Sequence, residues 1–163
     1  MRTKFYYLLI VLIVAFDQLT KFFIANNISR YESVTVIPGF FKLVYVRNDG
    51  AIFGFLSNSG KPWVFIVLTI ASLIALMLVV YYFHIVPAKD KLFKFALALI
   101  LAGALGNLID RILRGYVVDF LHFYAGRWQW PSFNLADSSI TIGAVLLLFI
   151  FFIRKKETCI QSS

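Results

Sequence analysis

Thiols are nearly absent from this chain. Its one cysteine, Cys159, stands in the C-terminal tail, so no internal disulfide forms and no thiolate cluster can hold a metal. Histidine is almost as scarce: His84 and His122 lie 38 positions apart, with no ligand-like spacing. The polar surface of a soluble domain is also missing. Hydrophobic residues make up 61% of the 163 and the mean hydropathy is +0.83, where an ordinary globular domain is only about half apolar. Acidic residues number eight against sixteen basic ones. The formal charge of +8 does not indicate nucleic acid, because the basic residues form no single stripe. They fall in small groups beside apolar runs, where Lys and Arg anchor helices at a membrane surface.

What is present is a set of long apolar runs. They predict an all-α integral membrane protein, one domain over residues 1–163, with helices at about 5–25, 62–84, 95–113 and 134–153. The first run follows Arg2 and Lys4 like a secretory leader. It is near spanning length, though, carries Asp17 and Lys21, and has no small-x-small site after it, so it reads as a retained helix. Asp17 and Lys21, four apart, share one helix face; they serve either as an ion pair that makes a polar face tolerable or as a brace for a site. Residues about 34–56 are rich in β-branched and aromatic side chains, are split by Pro38-Gly39, and predict a small β-hairpin or sheet on the membrane surface. Gly103 and Gly106, with Ala102 and Ala104, form a small-residue face for close helix packing. Residues 114–133 read as a short surface segment with an aromatic belt of Tyr116, Phe123, Tyr124, Trp128 and Trp130. Asp110 and Arg111 read as an ion pair at the third helix's end. Basic residues are densest in the short segments that share a side with both termini, which places the termini in the cytoplasm and the longer loops outside.

Length locates Asp137. Only Ile140–Ile153 is free of strongly polar groups apart from Thr141, whereas crossing a bilayer takes roughly 20 residues. Counting back from Ile153 reaches Asn134, so Asp137 falls in the first turn of the last helix. Asp119, flanked by Val117, Val118 and Phe120, is harder to dismiss as a capping or interfacial residue than Asp137 at its helix start. Two readings stand. Each aspartate is a separate interfacial or capping residue, or the two share a site in which one carboxyl keeps a proton. A shared pair can hydrolyse a peptide bond, one group activating water and the other protonating the carbonyl oxygen or the leaving nitrogen; this needs no metal, cofactor or covalent nucleophile. The helix dipole favours Asp137 as the ionised member, and apolar neighbours favour Asp119 as the protonated one. Ser138 and Ser139 read as helix-start residues. A proton-relaying transporter competes with this reading, but it calls for acidic groups at the midplane or inverted repeats, and only Asp17 fits.

Five blocks in order carry a more specific signal: Asp17-Gln-Leu-Thr-Lys21, Asn48-Asp-Gly-Ala-Ile-Phe-Gly54, Gly106-Asn-Leu-Ile-Asp-Arg111, Val117-Val-Asp-Phe120 and Phe133-Asn-Leu-Ala-Asp137. Together they resemble bacterial lipoprotein signal peptidase, or signal peptidase II. The resemblance implies an aspartyl endopeptidase of the bacterial cytoplasmic membrane that cuts diacylglyceryl-modified prolipoproteins just before the lipidated cysteine. It implies Asp119 and Asp137 as catalytic residues, Asn48, Gly50, Asn107, Arg111 and Asn134 as site-lining positions, and Asp17, Lys21 and Asp110 as supporting polar positions. It also implies membrane lipid as a partner and sensitivity to the cyclic peptide globomycin.

Overall fold

The computed structural model describes residues 3–30, 32–49 and 62–161. Four helices, α1 (Thr3–Asn27), α2 (Pro62–Ile85), α3 (Lys91–Arg114) and α4 (Leu135–Gln161), are joined by strands β1 (Ser33–Ile37) and β2 (Phe41–Asn48), between α1 and α2, and β3 (Val117–Ala125) and β4 (Trp128–Gln129), between α3 and α4. All four helices are long and apolar enough to cross a membrane.

α3 is the centre of the helical layer and packs against each of the other three. It is also the most buried span, whereas α1 and α2 turn rows of Leu, Ile, Val and Phe outward, as helices facing hydrocarbon do. Close approach explains the α3–α4 contact. A Cβ at Gly103 would collide with the Ala136 carbonyl oxygen, and one at Gly106 would lie 2.6 Å from an Asp17 carboxylate oxygen. The small-residue face read from the sequence is therefore where helices meet. Gly143 on α4 completes it, lying against the Ala96 carbonyl and Ile100. α3 ends at Gly115, whose φ of 76° returns its N–H to the Arg111 carbonyl.

β1 and β2 form the expected hairpin, and the sheet extends beyond it. All four strands join it in the order β1-β2-β3-β4, with antiparallel neighbours. Residues 114–133 are thus more than a surface segment: they hold the strand that pairs with β2, Val46 opposite Asp119 and Asn48 opposite Val117. The reason the sequence conceals β3 is physical. Val117 to Phe120 are all buried, because the sheet is covered on both faces there, so no apolar–polar alternation appears. The belt aromatics pack as well as flank: Phe123 stacks on Phe41 at 4.7 Å and Phe133 at 5.9 Å. α3 also begins at Lys91, earlier than about residue 95. Lys94 lies buried within it, with its ammonium over the Phe83 ring.

Candidate active site

The C-terminal half of α3 projects Gly103, Gly106, Asn107 and Asp110 onto one face by their three- and four-residue spacing. α1 brings Asp17 and Lys21 to that face, and α4 brings its first turn. Lys21 is fully buried, and its ammonium has three acceptors for three N–H bonds: Asp17 at 2.8 Å, Asp110 at 3.0 Å and the Asn107 Oδ1 at 3.0 Å. A buried ammonium tolerates desolvation only when paired this fully; removing one member of such a set costs about 3–5 kcal/mol.

Those two carboxylates also hold backbone. Asp17 Oδ1 accepts the Ala136 N–H at 2.9 Å, and Asp110 Oδ2 accepts the Val118 N–H at 3.1 Å. Ala136 immediately precedes Asp137, and Val118 immediately precedes Asp119. One ion cluster in the helical layer therefore fixes the chain just before each of the two remaining buried aspartates.

Two asparagines link those aspartates. Asn134 caps α4: its Oδ1 accepts the Asp137 N–H at 2.9 Å, and Asp137 Oδ2 accepts the Asn134 N–H at 3.3 Å, a reciprocal cap across the first turn. The Asn134 amide nitrogen then donates to Asp119 Oδ1 at 2.8 Å and to Asn107 Oδ1 at 3.2 Å. Asn107 donates in turn to Asp137 Oδ1 at 2.8 Å. From β2, Asn48 donates to Asp119 Oδ2 at 2.8 Å. Each carboxylate thus has both oxygens engaged by N–H donors, and the donors fix which way both amides face. Asp119, Asp137, Asn134, Asn107 and Asn48 are all buried. Burial, then the charge of Asp137, pushes the Asp119 carboxyl up to about 7, against the opposing bonds from Asn48 and Asn134.

Most residues picked out in the sequence converge here. Asp137 is at once a helix-start residue and a member of the cluster, so its two readings describe one geometry. Asp17 and Lys21 are likewise an ion pair and a brace. The expected Asp110–Arg111 pair does not form: Asp110 bonds Lys21 and, at 3.3 Å, Arg114, since successive helical residues diverge by ~100°. Arg111 instead reaches Ser72 Oγ at 3.5 Å, and the carboxylates whose charge it feels most are Asp137 and then Asp119. It lines a cavity of about 180 Å³ with Asn107, Ser72 and Ile140; a second, of about 240 Å³, runs along α4 past Asp137, Phe133 and Trp130. Gly50 lies outside the described residues. Gln18, which nothing local in the sequence marks apart from its place beside Asp17, donates to the Gly106 carbonyl at 3.0 Å and to Asp17 and Asp110 at 3.3 Å. Ser139, expected only to start a helix, ties α4 to the Leu99 carbonyl of α3 at 2.8 Å.

The family described as Signal peptidase (SPase) II matches residues 9–153. The chain belongs to the signal peptidase II family. Relatives named lipoprotein signal peptidase include that of Syntrophus aciditrophicus (strain SB), 45% identical over 90% of this chain and 91% of its own. Another, from Francisella tularensis subsp. novicida (strain U112), is 42% identical over 94% of both. A solved bacterial membrane enzyme matches with a TM-score of 0.81 and 40% identity, covering 95% of this chain and 92% of that one. In this signal peptidase II chain, then, the four apolar helices and the sheet follow the fold of a membrane enzyme, and the buried carboxylate–asparagine cluster lies where α1, α3 and α4 meet that sheet.

Proposed function

We propose that the protein is an aspartyl endopeptidase of the bacterial cytoplasmic membrane, which removes signal peptides from diacylglyceryl-modified prolipoproteins by cutting before the lipidated cysteine. Asp119 and Asp137 are the catalytic pair. The observation that carries this is the asparagine-bridged cluster, in which two buried carboxylates share Asn134 and one of them holds its proton to about pH 7. Asp137, on the first turn of α4, acts as the base on water, helped by the helix dipole. Asp119 gives its proton to the carbonyl oxygen or the leaving nitrogen. Asn48, Asn107 and Asn134 orient the two, Arg111 and Gly50 meet substrate, and Asp17, Lys21 and Asp110 hold the scaffold. The termini are cytoplasmic and the pair faces outward. A substrate tethered by acyl chains presents its cleavage site at the membrane boundary, and the apolar cavities beside α4 suit a signal helix and hydrocarbon.

Cleavage of a lipidated precursor by purified protein tests this. Asp119→Asn and Asp137→Asn should each lower turnover at least about a thousandfold, and the double variant no further, because the two act as a unit. Both should still bind globomycin. Near-normal cleavage by either single variant would overturn the pair.

A further inference from the structure

On the opposite face of the sheet lies a second polar cluster that the cleavage reading does not use. Side chains alternate along a strand, and the register puts Asn48, Val46, Val117 and Asp119 on one face and Arg47 and Val118 on the other. Arg47 bonds Tyr45, two residues back, through Nε at 3.0 Å, and its guanidinium lies 4.6 Å over the Tyr116 ring. The Tyr45 and Tyr116 hydroxyls are 3.1 Å apart. Beneath them is an apolar floor of Ile24, Ile28, Val118 and Phe120. Two further arginines contribute positive charge here, Arg30 at Tyr45 and Arg114 at Tyr116. Burial pushes the Tyr45 phenol up, yet its bonds to Tyr116 and Arg47, with the charges of Arg47 and Arg30, outweigh that and leave it below its usual value.

The bonding is one-sided. Whichever hydroxyl donates to the other, one phenolic hydrogen is left over. Arg47 spends only Nε on Tyr45, and among the described residues neither it nor Arg30 forms a salt bridge. The nearby acids are engaged: Asp110 holds Lys21 and Arg114, and Glu32 accepts from Ser29 at 2.7 Å. What remains is a planar guanidinium, stacked and oriented, beside a spare O–H donor, with the charges of Arg30 and of the Asp110-paired Arg114 adding to the positive field. That set matches the oxygens of a phosphate. Its level matters as much as its chemistry. Arg114 is the last residue of α3 and Arg30 stands three residues past α1, where two spans leave the hydrocarbon and phospholipid headgroups begin.

We propose that Arg47, with Arg30, Arg114 and the Tyr45–Tyr116 pair, binds the phosphate of an anionic phospholipid, its acyl chains running down the apolar flank of α1. Such a contact would hold the sheet at headgroup depth from the side away from Asp119.

The test is lipid retention by the purified full-length chain, read by native mass spectrometry after exposure to equal amounts of phosphatidylglycerol and phosphatidylcholine with matched chains. The wild type should retain phosphatidylglycerol about tenfold over phosphatidylcholine, and Arg47→Gln should lose most of that preference, as expected for a charge-assisted bond. Tyr116→Phe, which keeps the ring under Arg47 and removes the hydroxyl, should show a smaller loss. Excess inorganic phosphate should leave the lipid in place. Equal retention of the two lipids by the wild type, wild-type preference in Arg47→Gln, or displacement by inorganic phosphate alone would each overturn the assignment. The readout is binding, so a failure here leaves the cleavage proposal untouched, and the reverse also holds.

Discussion

Asp119 shows how a single side chain acquires chemistry from its surroundings. A free aspartate releases its proton near 3.8, whereas this one keeps it to about 7, because burial excludes water and Asp137 supplies a like charge. Two outcomes follow, and both run downward with rising pH. Turnover should fall as pH rises past about 7, where the proton donor ionises. Stability should also fall with rising pH across the interval between the unfolded and folded values. There the folded chain binds more protons than the unfolded one, an effect on the order of 4 kcal/mol. Asp119→Asn has no such proton. Its thermal midpoint in detergent should therefore be flatter than the wild type's from about pH 4 to about pH 8; parallel curves would remove the proton from Asp119. The residue identities of the cluster were legible in the sequence, since carboxylates and amides are costly near lipid. Which amide holds which carboxylate was not, because Asn134, Asn107 and Asn48 come from a helix cap, a helix and a strand far apart in the chain.

Among the elements, the α3–α4 contact sets the distance between Asn107 and Asp137. Gly103, one turn before Asn107, faces the Ala136 carbonyl with no room for a methyl group. Gly103→Ala should force the helices apart, stretch the 2.8 Å Asn107–Asp137 bond, and destabilise the fold by about 1–3 kcal/mol, as overpacking does. A lower thermal midpoint together with lost cleavage is expected, while Ile112→Ala, at a site 68% exposed, should change neither. Normal midpoint and activity in Gly103→Ala would mean that this contact does not position Asp137. Length and hydropathy marked the helices well because each has a long apolar stretch. β3 escaped because a strand buried on both faces reads like any short apolar run, and α3 started early because Lys94 buries its stem and lays its ammonium on Phe83.

For the whole molecule, the proposed topology has four spanning helices, with β1 to β4 on one side and the α2–α3 turn and both termini on the other. The proposed orientation is tested by labelling single cysteines in a Cys159→Ser background. Arg127→Cys, in the exposed turn between β3 and β4, should react with a membrane-impermeant maleimide added to intact cells, and Lys89→Cys, between α2 and α3, should not; the reverse pattern would invert the protein. By itself the sequence determined that the chain has four helices long and apolar enough to cross a membrane, roughly where each lies, and which polar residues are too costly near lipid to be idle. Those properties follow from hydrophobicity and length, which act locally along the chain. Tertiary structure alone decided that Asp110 pairs with Lys21 and Arg114 instead of Arg111, that residues 117–125 complete the sheet, and that Asp119 and Asp137 share Asn134. Apart from the Asp110–Arg114 pair, which lies within α3, these depend on packing between segments distant in sequence, where direction and separation, set by Gly103, Gly106 and the Lys21 ion cluster, decide which groups meet.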